Sequence, residues 1–160
     1  MARGIALSTA GVAVKYAVET EKGVRPTTGY TRIHDIKSTP NFNVAPETIE
    51  STDLEQDEYK TYVAGLKDPG GALEFGANFT QELQTHWGEI VAAYKAALAE
   101  GKRMWFEISH PKLEKAAFFP GEPAAMGLPE ATVGSIFETT LYITPNDAPI
   151  WEAKSTASAG

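Results

Sequence analysis

Three histidines, 21 carboxylates and no cysteine set the chemistry open to this chain. The absent thiol removes disulfides, thiolate metal sites, iron–sulfur clusters and cysteine nucleophiles together. His34, His86 and His110 lie far apart in sequence, and none has a partner at metal-ligand spacing, so they read as surface or turn residues. No G-x-S-x-G elbow, Walker loop or dinucleotide fingerprint occurs, and Pro69-Gly70-Gly71 lacks the Lys and Ser/Thr that would follow it in a phosphate cradle. A glycosidase needs two carboxylates facing each other, and Glu74 and Glu107 could supply them across a sheet. With 21 acidic residues, however, such pairs arise by chance. Trp87, Trp105 and Trp151 suggest a sugar platform, but Trp87 falls on the apolar stripe of a helix and reads as core. Trp105 falls on the outward face of its strand, where a large apolar side chain more often marks an interface. The residues thus point to no catalytic centre, no cofactor and no metal.

Composition narrows the remaining classes. A chain of 160 residues fits one domain and buries about 70% of its unfolded surface. The first ten residues are too short and too weakly apolar for a signal peptide, and no stretch approaches a membrane span, so a soluble protein is expected. Acidic side chains outnumber Lys plus Arg by 21 to 14, a formal charge of −7 that repels a phosphate backbone. The acids cluster at Glu47, Glu50, Asp53, Glu55, Asp57 and Glu58, a run best read as solvated surface.

The elements follow from periodicity. Val12, Val14, Tyr16 and Val18 alternate with Ala13, Lys15, Ala17 and Glu19, as in a strand with one buried face. A second strand is expected over Tyr30–Lys37, with His34 and Asp35 interrupting its apolar alternation. Pro40 and Pro46 bracket a segment that cannot be central strand, and a strand resumes from Glu47 to Leu54. From Glu55 to Gly71 the chain is charged, loses its period and ends in turn formers, so a long loop is expected there. Leu73, Phe75, Ala77 and Phe79 then share one face of a strand, with Glu74 and Asn78 on the other. Trp87, Ile90, Val91, Tyr94, Ala97 and Leu98 recur at helical spacing, with Thr85 as the expected N-cap and Gly101 as the stop. Arg103–Ser109 returns to strand, with Met104, Phe106 and Ile108 inward and Trp105, Glu107 and Ser109 outward, and Lys112–Gly134 reads as an irregular excursion with a short strand at Ala116–Phe119. A last strand runs from Ser135 to Thr144, with Phe137, Leu141 and Ile143 inward and Glu138, Thr140 and Tyr142 outward. The reading is one domain over residues 1–152, with residues 153–160 a disordered tail.

Taken in order, these pieces resemble the major tail (tail tube) proteins of siphophages. The resemblance rests on Glu47-Thr48-Ile49-Glu50-Ser51-Thr52-Asp53-Leu54, then on Thr61-Tyr62-Val63-Ala64-Gly65-Leu66-Lys67-Asp68-Pro69-Gly70-Gly71-Ala72-Leu73-Glu74-Phe75. Lys115-Ala116-Ala117-Phe118-Phe119-Pro120-Gly121 is similar to the family's small-aromatic-Gly segment. Ile143-Thr144-Pro145-Asn146 followed by Pro149-Ile150-Trp151-Glu152 resembles its usual ending. The match spans roughly residues 10 to 152 and rests on order and spacing, with no single diagnostic residue.

The resemblance implies a mainly β fold with one α-helix: a β-sandwich or barrel-like tail tube fold with a flanking helix and a long inter-subunit loop. It implies hexameric rings stacked into a tube in the virion tail, with DNA passing through unbound. A tape-measure protein, a tail terminator and a distal tail protein would be the partners, and there is no membrane insertion. Glu74 and Asn78 become candidates for the lumen wall. Glu55, Asp57, Glu58, Tyr59, Lys60, Tyr62, Leu66, Lys67 and Asp68 become candidates for an inter-subunit or inter-ring loop. The alternatives are the inner tube of a contractile tail or secretion system, and a monomeric β-sandwich binding module.

Overall fold

The computed structural model describes residues 6–43, 46–50, 62–67 and 71–155. In chain order the elements are β1 (Ala13–Val18), β2 (Thr31–Ile33), β3 (Ile36–Ser38), β4 (Pro46–Glu50), β5 (Tyr62–Lys67), β6 (Leu73–Asn78), α1 (Gln81–Ala99), β7 (Met104–Ser109), β8 (Lys115–Pro123), β9 (Glu138–Pro145) and β10 (Ile150–Ala153). Among the described residues the fold is mainly β with one helix, as expected. Among the described residues no helix is long and apolar enough to cross a membrane.

Eight strands form one antiparallel sheet in the order β2-β1-β7-β8-β9-β6-β3, with β10 added on β8. Its two terminal strands are sequence neighbours, so the sheet curls into a nearly closed barrel. The corner is His34-Asp35, where the expected strand over Tyr30–Lys37 breaks in two. Asp35 sits at φ 68°, a left-handed conformation that Asp tolerates better than branched residues. Its carbonyl accepts from Asn78 N at 2.9 Å, and its Oδ2 accepts from Thr80 Oγ1 at 2.8 Å. The interruption in the apolar pattern is therefore the turn that brings the two ends of the sheet together.

The nine-residue β8 is longer than the expected strand at Ala116–Phe119 because it serves two parts of the barrel. β7 pairs along Ala117–Pro120, while β10 and β9 follow one another along Lys115–Phe118 and Gly121–Pro123. Asn146 N donates to Pro120 O at 2.9 Å between them. Pro120 lacks a donor but still accepts, which is how a proline persists in a strand here.

The helix begins earlier than the Thr85 cap expected from the sequence. Thr80 is the N-cap, its Oγ1 accepting from Leu83 N at 3.0 Å, and the helix stops before Gly101 at φ 73°. Leu83, Trp87, Ile90, Val91 and Tyr94 fill the barrel interior against Val14, Phe75, Met104, Phe106, Phe119, Leu141 and Ile143. The Trp87 indole donates to Ala124 O at 2.8 Å, satisfying its one polar group. Leu98, placed on the buried stripe by spacing alone, is instead exposed, whereas Ala97 beside it on the same turn is buried.

Two further expectations are corrected. Tyr62, Leu66 and Lys67, placed in a long loop, belong to β5, which pairs antiparallel with β4 as a separate two-stranded ribbon. Ala153, placed in a disordered tail, closes β10, and Ser155 beyond it is hydrogen-bonded to the body.

Candidate assembly interface

The barrel has two outer faces of opposite character. Over β1, β7 and the first half of β8, the outward side chains are buried. Ala17, Tyr30, Trp105, Ala116 and Phe118 form a second apolar cluster, and the Arg25 guanidinium lies 4.2 Å from the Phe118 ring centroid. Trp105, read as an outward residue that marks an interface, does lie on the outward face but is only 6% accessible, covered by its own chain. Its indole donates to Glu19 Oε2 at 2.9 Å, and Arg103 Nε reaches the same oxygen at 3.2 Å. The backbone amides of Arg103 and Gly23 reach Oε1 at 2.8 and 3.1 Å. Burial alone would raise the pKa of Glu19. The hydrogen bonds from Trp105, Arg103 and Gly23 and the charge of Arg103 outweigh it and hold the carboxyl below its usual 4.5. Glu107, also on the outward side as expected, is 1% exposed. It accepts from Ser155 N at 2.8 Å and Ser155 Oγ at 3.0 Å, with Lys15 Nζ 4.0 Å away. This face is internally satisfied.

Over β6, β9 and the second half of β8, the outward side chains are left in water. Leu73, Phe75 and Ala77 are buried while Glu74 is exposed, so the alternation read from the sequence holds. The register sets Glu74 opposite Tyr142, Gly76 opposite Thr140, Asn78 opposite Glu138, and Glu122 opposite Thr144. Lys37 on β3 pairs with Glu138. Beside them β3 pairs with β6, with Ser38 opposite Gly76, where a Cβ would meet the Ser38 hydroxyl and displace it. The result is a polar, mainly acidic wall. Asn78 is only half-exposed, and its Oδ1 is enclosed without a hydrogen-bond partner among the described residues. Glu122, Glu138 and Tyr142 extend the wall beyond the two residues picked from the sequence. Glu138 and Tyr142 were legible as outward positions of the last strand, but only the β6–β9 register joins them to Glu74.

The arm is the second feature. Tyr62, Leu66 and Lys67 lie on β5, which pairs with β4 apart from the eight-stranded sheet. Glu55, Asp57, Glu58, Tyr59, Lys60 and Asp68 lie outside the described residues.

Of the remaining candidates for chemistry, His34 and His86 come together and the others stay apart. Glu74 and Glu107 are on strands separated by β8 and β9, one exposed and one buried. His34 and His86 line one groove with Asp35, Glu82 and Glu89, while His110 Nε2 contacts Ser8 O at 2.6 Å elsewhere. Among the described residues no group of three or more His, Cys, Asp or Glu is arranged to hold a metal.

No family model matches the sequence, and no curated protein is similar to it at a significant level. The fold does have solved counterparts. A chain in the cryo-EM structure of the anti-feeding prophage baseplate, six-fold symmetrised, superposes with a TM-score of 0.56 at 9% identity. The alignment covers 96% of this chain and 100% of that one. At this identity the likeness establishes the shared fold, end to end.

Proposed function

We propose that this chain is a structural subunit of a phage tail tube of the siphophage type, assembling into stacked hexameric rings that conduct DNA. The observation that carries the reading is the end-to-end fold match to a chain of a six-fold symmetrised prophage baseplate. The paired faces support it. A barrel with one outer face sealed by its own chain and the other left polar suits a subunit that turns the polar face to a water-filled channel. An acidic wall of Glu74, Glu122 and Glu138 would repel DNA phosphates and let the duplex slide. The β4–β5 ribbon, standing outside the eight-stranded sheet, would reach a neighbouring subunit or ring. In this reading the chain does no chemistry, its first partner is itself, and a tape-measure protein, a terminator and a distal tail protein would complete the tube.

A position in a baseplate or in the inner tube of a contractile particle is the second reading, favoured because the matched chain sits in a baseplate. A sheath-protein gene adjacent to this one would favour it. Negative-stain microscopy of concentrated protein tests the shared premise: rings or tubes with a central hole are expected, and a monomer at every concentration would refute both.

A further inference from the structure

We propose that adjacent copies of this chain meet head to tail, the loop between β8 and β9 of one copy packing on the β10 end of the next. The inference rests on the self-assembling reading above and names the surfaces that would carry it.

The loop over residues 124–137 presents Leu128, Val133 and Ile136 at 90%, 102% and 74% exposure. Three large aliphatics held out on one surface loop serve no core of their own chain, and such exposure marks an interaction site. Grooves of about 720 and 320 Å³ border this loop, and both reach Trp87.

The second surface is β10. All four of its residues are exposed, including Trp151 at 62%, and among the described residues it pairs with β8 alone. A strand edge with an exposed tryptophan and no second partner is a place where another chain docks.

Geometry separates the two surfaces within one copy. The loop follows Pro123 at one end of β8, whereas Ala153 pairs with Lys115 at the other, about 25 Å away at roughly 3.3 Å per residue. Charge argues against like meeting like. The loop end carries Glu122 and Glu130 without an ion-paired cation among the described residues. A loop-to-loop contact would set these acids against their own copies. The β10 end carries Lys112, Lys115 and Lys154 against Glu114 and Glu152, so it is the more basic partner. Two different, complementary surfaces at opposite ends of one subunit define a heterologous contact, which closes into a ring or propagates as a filament.

The test uses two one-sided variants. Val133→Asp with Ile136→Asp breaks the loop surface and leaves β10 intact; Trp151→Glu with Lys115→Glu does the reverse. All four positions are exposed, so circular dichroism and melting should match the parent, and Leu128→Asp provides an independent loop variant. In sedimentation velocity the parent should self-associate with concentration, and each variant alone should remain monomeric. An equimolar mixture should form dimers and nothing larger, because one intact loop meets one intact β10 and both outer ends are dead. Continued self-association of either variant, or a mixture that stays monomeric while the parent assembles, overturns the head-to-tail contact but leaves the tube reading standing. A parent that never associates overturns both.

Discussion

The outer face over β1, β7 and β8 and the outer face over β6 and β9 belong to one continuous sheet, yet they are finished differently. On the first, Trp105, Phe118, Tyr30 and Ala116 are covered, and the buried carboxylates of Glu19 and Glu107 accept hydrogen bonds from the protein itself. On the second, Glu74, Glu122, Glu138 and Tyr142 are exposed. A buried carboxylate is costly unless its oxygens are paired, so the first face is committed to holding the barrel together. The second is looser: Glu138 is paired with Lys37 and Glu122 accepts from the Tyr94 hydroxyl, while Glu74 and Tyr142 stand in water.

That contrast can be broken most severely at Trp105. Trp105→Ala should destabilise by about 3–5 kcal/mol, the usual cost of a large aromatic removed from a packed cluster, and would leave Glu19 short of a donor. A denaturant melt showing under about 1 kcal/mol would mean that this face is not a second core.

Glu19→Gln should cost less, about 1–3 kcal/mol, because a neutral amide cannot accept all four donors with both of its heavy atoms. It also carries a pH signature. The folded-state pKa of Glu19 lies below 4.5, so its contribution is present above that pH and is lost as pH falls toward the folded value. The parent should therefore lose stability more steeply than Glu19→Gln does as pH falls below the ordinary carboxylate range. Parallel slopes would indicate that Glu19 is not held ionised by its neighbours.

On the opposite face Glu74→Lys should change stability by no more than about 0.5 kcal/mol. Its effect belongs to transit: in six-membered rings it would exchange an acidic girdle for a basic one, and salt-dependent contacts with phosphates would slow DNA release. Particles carrying the variant should look normal, eject slowly and recover partly at higher ionic strength. Unchanged kinetics at both salt concentrations would remove this face from the channel.

The smallest effect on the barrel is expected from shortening the arm between β4 and β5. Because the ribbon is a sheet apart, the remaining domain should keep its circular dichroism spectrum and its melting temperature while losing assembly. Loss of the folded signal would show that the arm completes the core.

The sequence made these features legible to different degrees, for physical reasons. Leu73-Glu74-Phe75 could be read because a strand with one core face must alternate. The helix could be read from Trp87, Ile90, Val91 and Tyr94, but its start could not, because Thr80 and Thr85 are both chemically able to cap and only the Asp35 contact distinguishes them. Periodicity correctly put Trp105 and Glu107 on the side away from Phe106. It could not show that Tyr30 and Ser155, remote in sequence, return to cover that side. Tyr62–Lys67 escaped notice because a two-stranded ribbon outside the sheet need not show the alternation that a core face imposes. Leu128, Val133 and Ile136 sat in a Pro- and Gly-rich stretch without a period, and only their exposure gives them meaning.

The central claim is that the polar face, not the sealed one, lines a channel made by copies of this chain. Cryo-EM of assemblies formed by the concentrated protein measures it directly. The account predicts six-fold rings with Glu74, Glu138 and Tyr142 turned to the central hole and Trp105 still buried within each subunit. Rings whose hole is lined by the β1 and β7 face, or a protein that stays monomeric under all conditions, would contradict it.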